Sequence, residues 1–158
     1  MADLHGNKIV GGHPSTAAAP HNPSTGRSQA CGPQRLRLSR KAGWRKPEGA
    51  VVVSRPSRWG NPFTIAWARL DNETMTDLEA RVYVVQVFQA WLTDDNYAAA
   101  FRSDWLDGRR AWMLAHLSEL ANKDLRCWCP LPGDGEDDWC HARVLIDLAN
   151  EATGGSDA

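Results

Sequence analysis

Residues 125–148 restrict the possible folds of this 158-residue chain more than any other segment. The segment opens with a short apolar stretch that contains Cys127 and Cys129 and is typical of a strand. A loop rich in proline, glycine and acidic residues follows, and from about Asp138 the apolar residues recur at helical spacing. The segment therefore predicts a strand, a loop and a helix, with cysteines at the end of the strand and at the start of the helix.

A second strand is predicted at residues 49–55, because the continuous valine run GAVVVSR suits a strand that is buried on both faces of a parallel sheet. The capping-box pattern from Thr76 to Glu79 predicts the start of an amphipathic helix that reaches Leu92, and further helical stretches follow it. This order of strand, helices, strand and helix predicts an α/β fold. We expect a small single domain with a short, mainly parallel sheet flanked by helices.

The start of the last helix places two reactive side chains. Asp138 is the predicted N-cap, because a short acceptor side chain can bind an unpaired N–H group of the first helical turn. Cys140 and His141 would then lie in that turn, where the helix dipole favours anions and thiolates. Neighbouring residues of a helix diverge by about a hundred degrees, which argues against one metal ion shared by Cys140 and His141.

Three interpretations of Cys127, Cys129, Cys140 and His141 stay open at this point. Three thiolates and an imidazole are a suitable ligand set for zinc, and the two side chains of a Cys-x-Cys strand point to one face. Alternatively, Cys140 and His141 are catalytic, with the thiolate as nucleophile and the imidazole as base or anion partner. In the third interpretation the cysteines are small buried hydrophobic residues.

The loop RPSRWGNPF at residues 55–63 directly follows the valine strand. In open α/β sheets, ligands bind beyond the carboxyl ends of the strands. The guanidinium groups of Arg55 and Arg58 suit phosphate or carboxylate oxygens, whereas Trp59 suits stacking on a ring and Asn61 suits hydrogen bonds in the ring plane. We therefore predict that these four residues bind a small anionic or nucleotide-like ligand. The alternative is a rigid turn whose aromatic rings fill the core and whose arginines are solvated.

Parallel strands end at the same edge of a sheet. The loop that follows the valine strand and the cysteines that follow the second strand are therefore expected to lie side by side. The two segments would then form one site.

The charge of the chain is unevenly distributed. Residues 1–48 carry eight lysines and arginines against two acidic residues, whereas residues 49–158 carry ten against seventeen. Residues 1–33 lack apolar periodicity and predict a disordered basic arm, residues 34–150 predict the α/β domain, and residues 151–158 predict a disordered tail. Nucleic acid is a candidate partner of the arm, although a solvated arm explains the charge more simply.

Residues 35–46, RLRLSRKAGWRK, alternate basic with apolar side chains. They predict either an edge strand protected by its charges or an arm that closes over an anionic ligand.

The apolar runs are too short to span a membrane, and the N-terminal residues do not resemble a secretory signal. We therefore expect a cytoplasmic protein with no membrane partner. Thiols stay reduced in that compartment, where a cysteine cluster indicates metal binding or chemistry more often than disulfides. The sequence does not predict the oligomeric state.

Two parts of the sequence, GWRKPEGAVVVSRPSRWGNPF and LRCWCPLP…WCHARVLIDL, resemble a family of bacterial and phage proteins catalogued as domain of unknown function 4326. The resemblance covers about residues 33–150, including the central helix with Tyr83 and Trp91, although the loop between Cys129 and Cys140 is longer than is usual for the family. It implies a layout of the domain and no activity. Two functions stay open. In the first, the protein binds a nucleotide-like or phosphate-bearing ligand, either as a binding protein or as an enzyme of nucleotide or nucleic-acid metabolism. In the second, it is a zinc-stabilised, non-catalytic module that interacts with phage or host nucleic-acid machinery.

Overall fold

A computed structural model describes residues 32–45 and 47–154. Three short parallel strands form a sheet of order β1-β3-β2. The strands are β1 at Arg35–Arg37, β2 at Val51–Val52 and β3 at Leu125–Cys127. The basic segment thus supplies an edge strand. The predicted arm at residues 1–33 lies outside the described residues except for its last two, as do residues 155–158 of the predicted tail.

Five α-helices occur in the described part of the chain: α1 Ile65–Asp71, α2 Asp77–Thr93, α3 Asp95–Ala98, α4 Asp104–His116 and α5 His141–Gly154. Short 3-10 turns follow α3 and α4, at Ala99–Phe101 and Leu117–Leu120. The predicted small α/β domain with a short parallel sheet flanked by helices is confirmed. Two differences are that α1 was not predicted and that α5 continues into the segment assigned to the tail. None of the helices in residues 32–45 and 47–154 is long and apolar enough to cross a membrane.

Helix α2 begins where the capping box predicts. The Thr76 hydroxyl accepts a hydrogen bond from the backbone N–H of Glu79, and the Glu79 carboxylate accepts one from the N–H of Thr76, at 3.2 and 2.8 Å. The hydrogen bonds that the Glu79 carboxylate accepts from the N–H and the hydroxyl of Thr76 lower the pKa of Glu79 below its ordinary value. The helix buries Phe88 and Trp91 completely, and they pack in one core with residues of α5 and β3. Helix α2 therefore forms one wall of the region in which β3 ends.

The valine strand is shorter than predicted, because the chain turns soon after β2. Val53 is fully buried, and its N–H still donates to the carbonyl oxygen of Arg126 at 2.9 Å. At Ser54 the chain enters a turn in which the N–H of Ser57 donates to the carbonyl of Ser54. The loop after β2 consequently begins beside the end of β3, as the parallel order of the strands predicts.

Candidate metal centre

The four predicted metal ligands converge between the end of β3 and the start of α5. Cys127 is the last residue of β3, Cys129 follows in the loop, Cys140 immediately precedes α5, and His141 is the first residue of that helix. Their potential ligand atoms all lie within 4.8 Å of one another. Cys129 is half-buried and the other three are buried. We refer to these four residues as the Cys/His cluster.

The separations within the Cys/His cluster suit a tetrahedral ion. The sulfur of Cys127 lies 3.5 Å from that of Cys129 and 3.9 Å from Nδ1 of His141. The sulfur of Cys140 lies 4.0 Å from the same nitrogen. Zinc–sulfur bonds of about 2.3 Å at tetrahedral angles place two sulfur atoms about 3.8 Å apart. The observed distances are thus close to those that one zinc ion requires.

The imidazole of His141 is oriented by the backbone that follows β2. Its Nε2 lies 2.8 Å from the carbonyl oxygen of Val53. A carbonyl can only accept, so Nε2 carries the proton and donates, and Nδ1 of the neutral ring keeps a lone pair on the side of the sulfur atoms. Phe88 packs edge-on against the ring, with centroids 5.9 Å apart. Histidines that bind metals almost always donate their second ring N–H in this way.

The start of α5 differs from the prediction, and this difference decides how Cys140 is placed. The Asp138 carboxylate accepts a hydrogen bond from Nε of Arg35 at 2.6 Å, and the helix begins at His141. The predicted N-cap at Asp138 is therefore wrong. Because Cys140 precedes the helix, the divergence expected for two neighbours on one helix does not apply. Cys140 and His141 can face the same point.

A buried guanidinium holds the backbone around Cys129. Arg35 donates from Nη1 and Nη2 to the carbonyl oxygens of Cys129 and Pro130, at 3.2 and 2.8 Å, and pairs with Asp138 through Nε. Its side chain is only 3% exposed. Burial alone would lower the pKa of Arg35, but the hydrogen bond to Asp138 and the attraction of Cys140 raise it above the ordinary value. Arg35 thereby joins the segment after β3 to the segment before α5.

A cavity of about 280 Å³ lies beside the Cys/His cluster. Its lining includes residues from the cluster, from the loop after β2 and from α2: Cys127, Cys129, His141, Arg55, Asn61 and Arg81. The two segments that the sequence placed at one sheet edge therefore meet at this cavity. Arg81 could not be predicted as a cavity residue, because an arginine on an amphipathic helix has the pattern of a solvated charge.

Arg55 and Asn61 both line this cavity, but they are held differently. The Arg55 side chain is exposed, whereas Asn61 is 7% exposed. The Asn61 amide donates to the carbonyl of Val84 and accepts from the N–H of Phe63, both at 2.9 Å. The bond to Val84 fastens the loop to α2, and the bond from Phe63 holds the loop's own backbone. Arg55 thus keeps its charge at the cavity, while the amide of Asn61 is engaged by the backbone.

Arg58 and Trp59 point to a different part of the domain. The Arg58 guanidinium lies 4.8 Å from the ring centroid of Trp112, and the ring of Trp59 lies 4.9 Å from the same ring. Trp59 is 7% exposed and belongs to the hydrophobic core. Ligand binding by these two residues stays a prediction, and any such site would lie on the α4 side of the loop.

The loop after β2 is also held by Arg109 of α4. Its Nη2 donates to the carbonyl oxygens of Ser57 and Gly60, at 2.9 and 2.8 Å. Burial and then the nearby charges of Arg58 and Arg55 lower the pKa of Arg109. Three guanidinium groups around one loop create a positive potential that favours an anion in its vicinity.

A family model described as a domain of unknown function (DUF4326) matches residues 36–151. The chain belongs to this family. The resemblance inferred from the two sequence motifs is confirmed, and no curated protein and no solved structure matches the chain. The match runs from within β1 into α5. The DUF4326 domain therefore includes the entire Cys/His cluster and the residues of the adjoining cavity.

The thiols of Cys127 and Cys140 shift each other's pKa in opposite directions because they are hydrogen-bonded to each other. Hydrogen bonds with Cys129 and Cys140 lower the pKa of the Cys127 thiol. The same contacts, together with burial, raise the pKa of Cys140. A divalent cation at the centre stabilises every thiolate at once, because coordinated thiols are deprotonated. The cluster has the donor chemistry of a soft or borderline metal site.

Proposed function

We propose that this DUF4326 domain binds one zinc ion at a structural site formed by four side chains: Cys127, Cys129, Cys140 and His141. The convergence of their ligand atoms within 4.8 Å carries the proposal. The hydrogen bond from His141 to Val53 supports it, because it leaves Nδ1 as the coordinating atom. Four protein ligands complete a tetrahedral shell and leave no position for a catalytic water, which favours a structural role.

The proposed ion would stabilise contacts that the short strands alone support weakly. β2 has two residues, and β1 and β3 have three each. A bound zinc would join the end of β3 to the start of α5, and through His141 it would position the backbone at Val53. The long loop between Cys129 and Cys140 does not oppose ligation, because β3 and α5 determine the positions of the ligands.

Burial favours this function over nucleophilic catalysis by Cys140. Its side chain is fully buried, with 0% exposure. A nucleophile must reach its substrate, whereas a ligand of a structural ion only needs its partners. Nδ1 of His141 faces the thiols, which agrees with coordination. The catalytic alternative would require the start of α5 to open.

Native mass spectrometry of the full chain, with and without chelator, tests the zinc site. We expect one zinc per chain, lost in Cys140→Ser and retained in Cys31→Ser, which leaves all four proposed ligands in place. After replacement by cobalt(II), visible bands typical of a tetrahedral thiolate site are expected. A metal-free protein in which one thiol is alkylated much faster than the others would contradict the proposal and support a chemical role for Cys140.

The cavity beside the cluster favours a second function. We propose that it binds a phosphate-bearing, nucleotide-like ligand, with Arg55 and Arg81 as the anion partners. Both side chains line the cavity of about 280 Å³, and guanidinium groups bind phosphate oxygens in bidentate geometry. Trp128 also lines the cavity and offers an exposed ring surface for a base.

Substitution of each arginine of the loop, one at a time, distinguishes a ligand site in the cavity from a ligand site on the α4 side of the loop. We expect Arg55→Ala to weaken the binding of ATP, used as the probe, by about tenfold or more, because it removes a charged hydrogen-bond partner. Arg58→Ala is the matched control and is expected to change the affinity by less than about twofold, since Arg58 stacks on Trp112. Isothermal titration calorimetry measures both, after thermal unfolding has shown that the variants fold.

The reverse pattern, with ATP binding lost only in Arg58→Ala, would move the ligand site to the α4 side of the loop. If neither substitution changes the affinity, or if the unaltered protein does not bind ATP, the cavity is not a site for this ligand. None of these outcomes would affect the zinc proposal. Among the described residues, neither Arg55 nor Arg58 forms a hydrogen bond with a proposed metal ligand.

A further inference from the structure

Trp128 contributes to the lining of two cavities. It lines the cavity beside the Cys/His cluster, and it also lines a larger one of about 590 Å³. The lining of the larger cavity includes three basic residues from the end of β1 and the segment that follows it: Arg37, Arg40 and Lys41. We refer to these three residues, together with Trp44, Arg126 and Trp128, as the basic-aromatic surface. It plays no part in the zinc site or in the nucleotide cavity proposed above, apart from the shared Trp128.

The positive charges of this surface are not neutralised by neighbouring acids. The sequence contains no acidic residue from 34 to 45. Within residues 32–45 and 47–154, the four ion pairs involve Arg35, Arg69, Arg110 and Arg143, and none involves a basic residue of the surface. Arg37, Arg40 and Lys41 are all exposed. The surface therefore presents a net positive charge to solvent, which suits a polyanion.

Arg126 is a second sign of an anion at this place. It is 4% exposed, and its guanidinium lies 5.0 Å from the ring centroid of Trp44. Its Nε is buried without a hydrogen-bond partner among the described residues. Burial of a guanidinium without an acceptor is costly, and a phosphate group would supply both the negative charge and the missing acceptor.

The indoles of the surface indicate which polyanion it suits. Trp44 is 37% exposed and Trp128 is 42% exposed, and the Arg40 guanidinium lies 4.7 Å from the ring centroid of Trp128. Arg126 lies in β3 and Trp128 follows the strand directly, so the two residues belong to one short segment. Alternating aromatic rings and basic side chains are typical of surfaces on which bases stack while the phosphates contact the cations. A duplex hides the faces of its bases, which favours a single strand.

We propose that the basic-aromatic surface binds single-stranded nucleic acid. Bases stack on Trp44 and Trp128, whereas the phosphates contact the basic residues of the surface: Arg37, Arg40, Lys41 and Arg126. This proposal differs from binding through the N-terminal arm, because it locates the contacts on the folded domain. The surface shares Trp128 with the nucleotide cavity, and Arg55→Ala separates the two: because Arg55 lines only that cavity, this variant should bind the single strand as tightly as the unaltered protein.

Fluorescence anisotropy of a labelled oligothymidylate with the 158-residue chain as purified tests the proposal. Trp128→Ala is expected to weaken binding by about tenfold, because base stacking on an aromatic ring is lost. Trp105→Ala is the matched control: Trp105 is 61% exposed on α4 and also has a guanidinium, that of Arg109, stacked at 5.2 Å. This control should leave the affinity unchanged.

Two further measurements distinguish stacking from charge. The unaltered protein should bind an abasic oligomer of the same length more weakly than it binds oligothymidylate. Trp128→Ala should bind the abasic oligomer as tightly as the unaltered protein does, because no base is present to stack. Arg40→Gln should make the slope of log affinity against log salt less steep by about 0.7, the value for one phosphate contact with a single strand. Arg102→Gln, an exposed arginine outside the surface, should leave the slope unchanged.

Three outcomes would overturn the proposal. The first is no binding of oligothymidylate at low salt. The second is equal losses in Trp128→Ala and Trp105→Ala, which would show that the effect is not local to the surface. The third is equal affinity for a duplex or for polyglutamate, which would indicate a general polyanion site with no stacked bases.

Discussion

Removal of the proposed zinc ion is expected to leave this DUF4326 domain largely unfolded at room temperature. Structural zinc sites contribute about 10–16 kcal/mol of apparent binding free energy in small zinc-binding peptides. The total stability of a typical domain is about 5–15 kcal/mol, so even part of that contribution decides whether the domain folds. The sheet provides little reserve, because its strands have two or three residues each. Circular dichroism during heating, with and without chelator, measures the effect.

Three comparisons make the zinc prediction specific. Cys140→Ser should behave like the chelated protein, because one of four ligands is lost from a fully buried position. Cys31→Ser should unfold at the same temperature as the unaltered chain. After chelation, added zinc should restore the unfolding transition only in chains that keep all four proposed ligands. If the chelated and the zinc-loaded protein unfold at the same temperature, the Cys/His cluster does not hold a structural ion.

The sequence was sufficient to predict the candidate metal ligands and the sheet edge at which they lie. A valine run indicates a buried parallel strand, and the intervening helices require that the next strand runs in the same direction. Both features are local patterns that follow from strand and helix periodicity. The meeting of the loop after β2 with the cysteines after β3 follows from this order alone, and the structure places both segments around one cavity.

The exact start of α5 could not be predicted, and this boundary decides whether Cys140 and His141 can share an ion. Asp138 has the residue type of an N-cap, but a carboxylate also pairs with a guanidinium. The partner that it takes, Arg35, is distant in sequence and lies in β1. Only the three-dimensional structure shows that this long-range pair forms and that the helix begins at His141.

Side-chain chemistry also left the roles of the loop residues undecided. The amide of Asn61 could donate to and accept from a base edge. In the structure it instead donates to the backbone of Val84 and accepts from that of Phe63. Trp59 could stack on a ligand ring, yet it packs against Trp112. Residue type specifies which partners are suitable, whereas packing over the whole domain specifies which partner is present.

Substitution of Arg35 is expected to have the second largest effect. Arg35→Met removes a 3%-exposed guanidinium and leaves the Asp138 carboxylate, whose side chain is 18% exposed, without its partner. Loss of one member of a buried ion pair costs about 3–5 kcal/mol, because the remaining charge stays partly buried. The backbone carbonyls of Cys129 and Pro130 also lose their donors. We therefore expect a lower free energy of unfolding in urea and a faster loss of zinc to chelator.

Arg37→Met is the matched control for Arg35→Met, because Arg37 lies in the same strand but is exposed. Its free energy of unfolding should change by less than about 0.5 kcal/mol, as for most surface substitutions. The effects on nucleic-acid binding should be reversed: Arg37→Met should weaken the affinity for oligothymidylate, because only Arg37 belongs to the basic-aromatic surface. Equal destabilisation by both substitutions would mean that the pair of Arg35 with Asp138 does not hold the segments that carry Cys129 and Cys140.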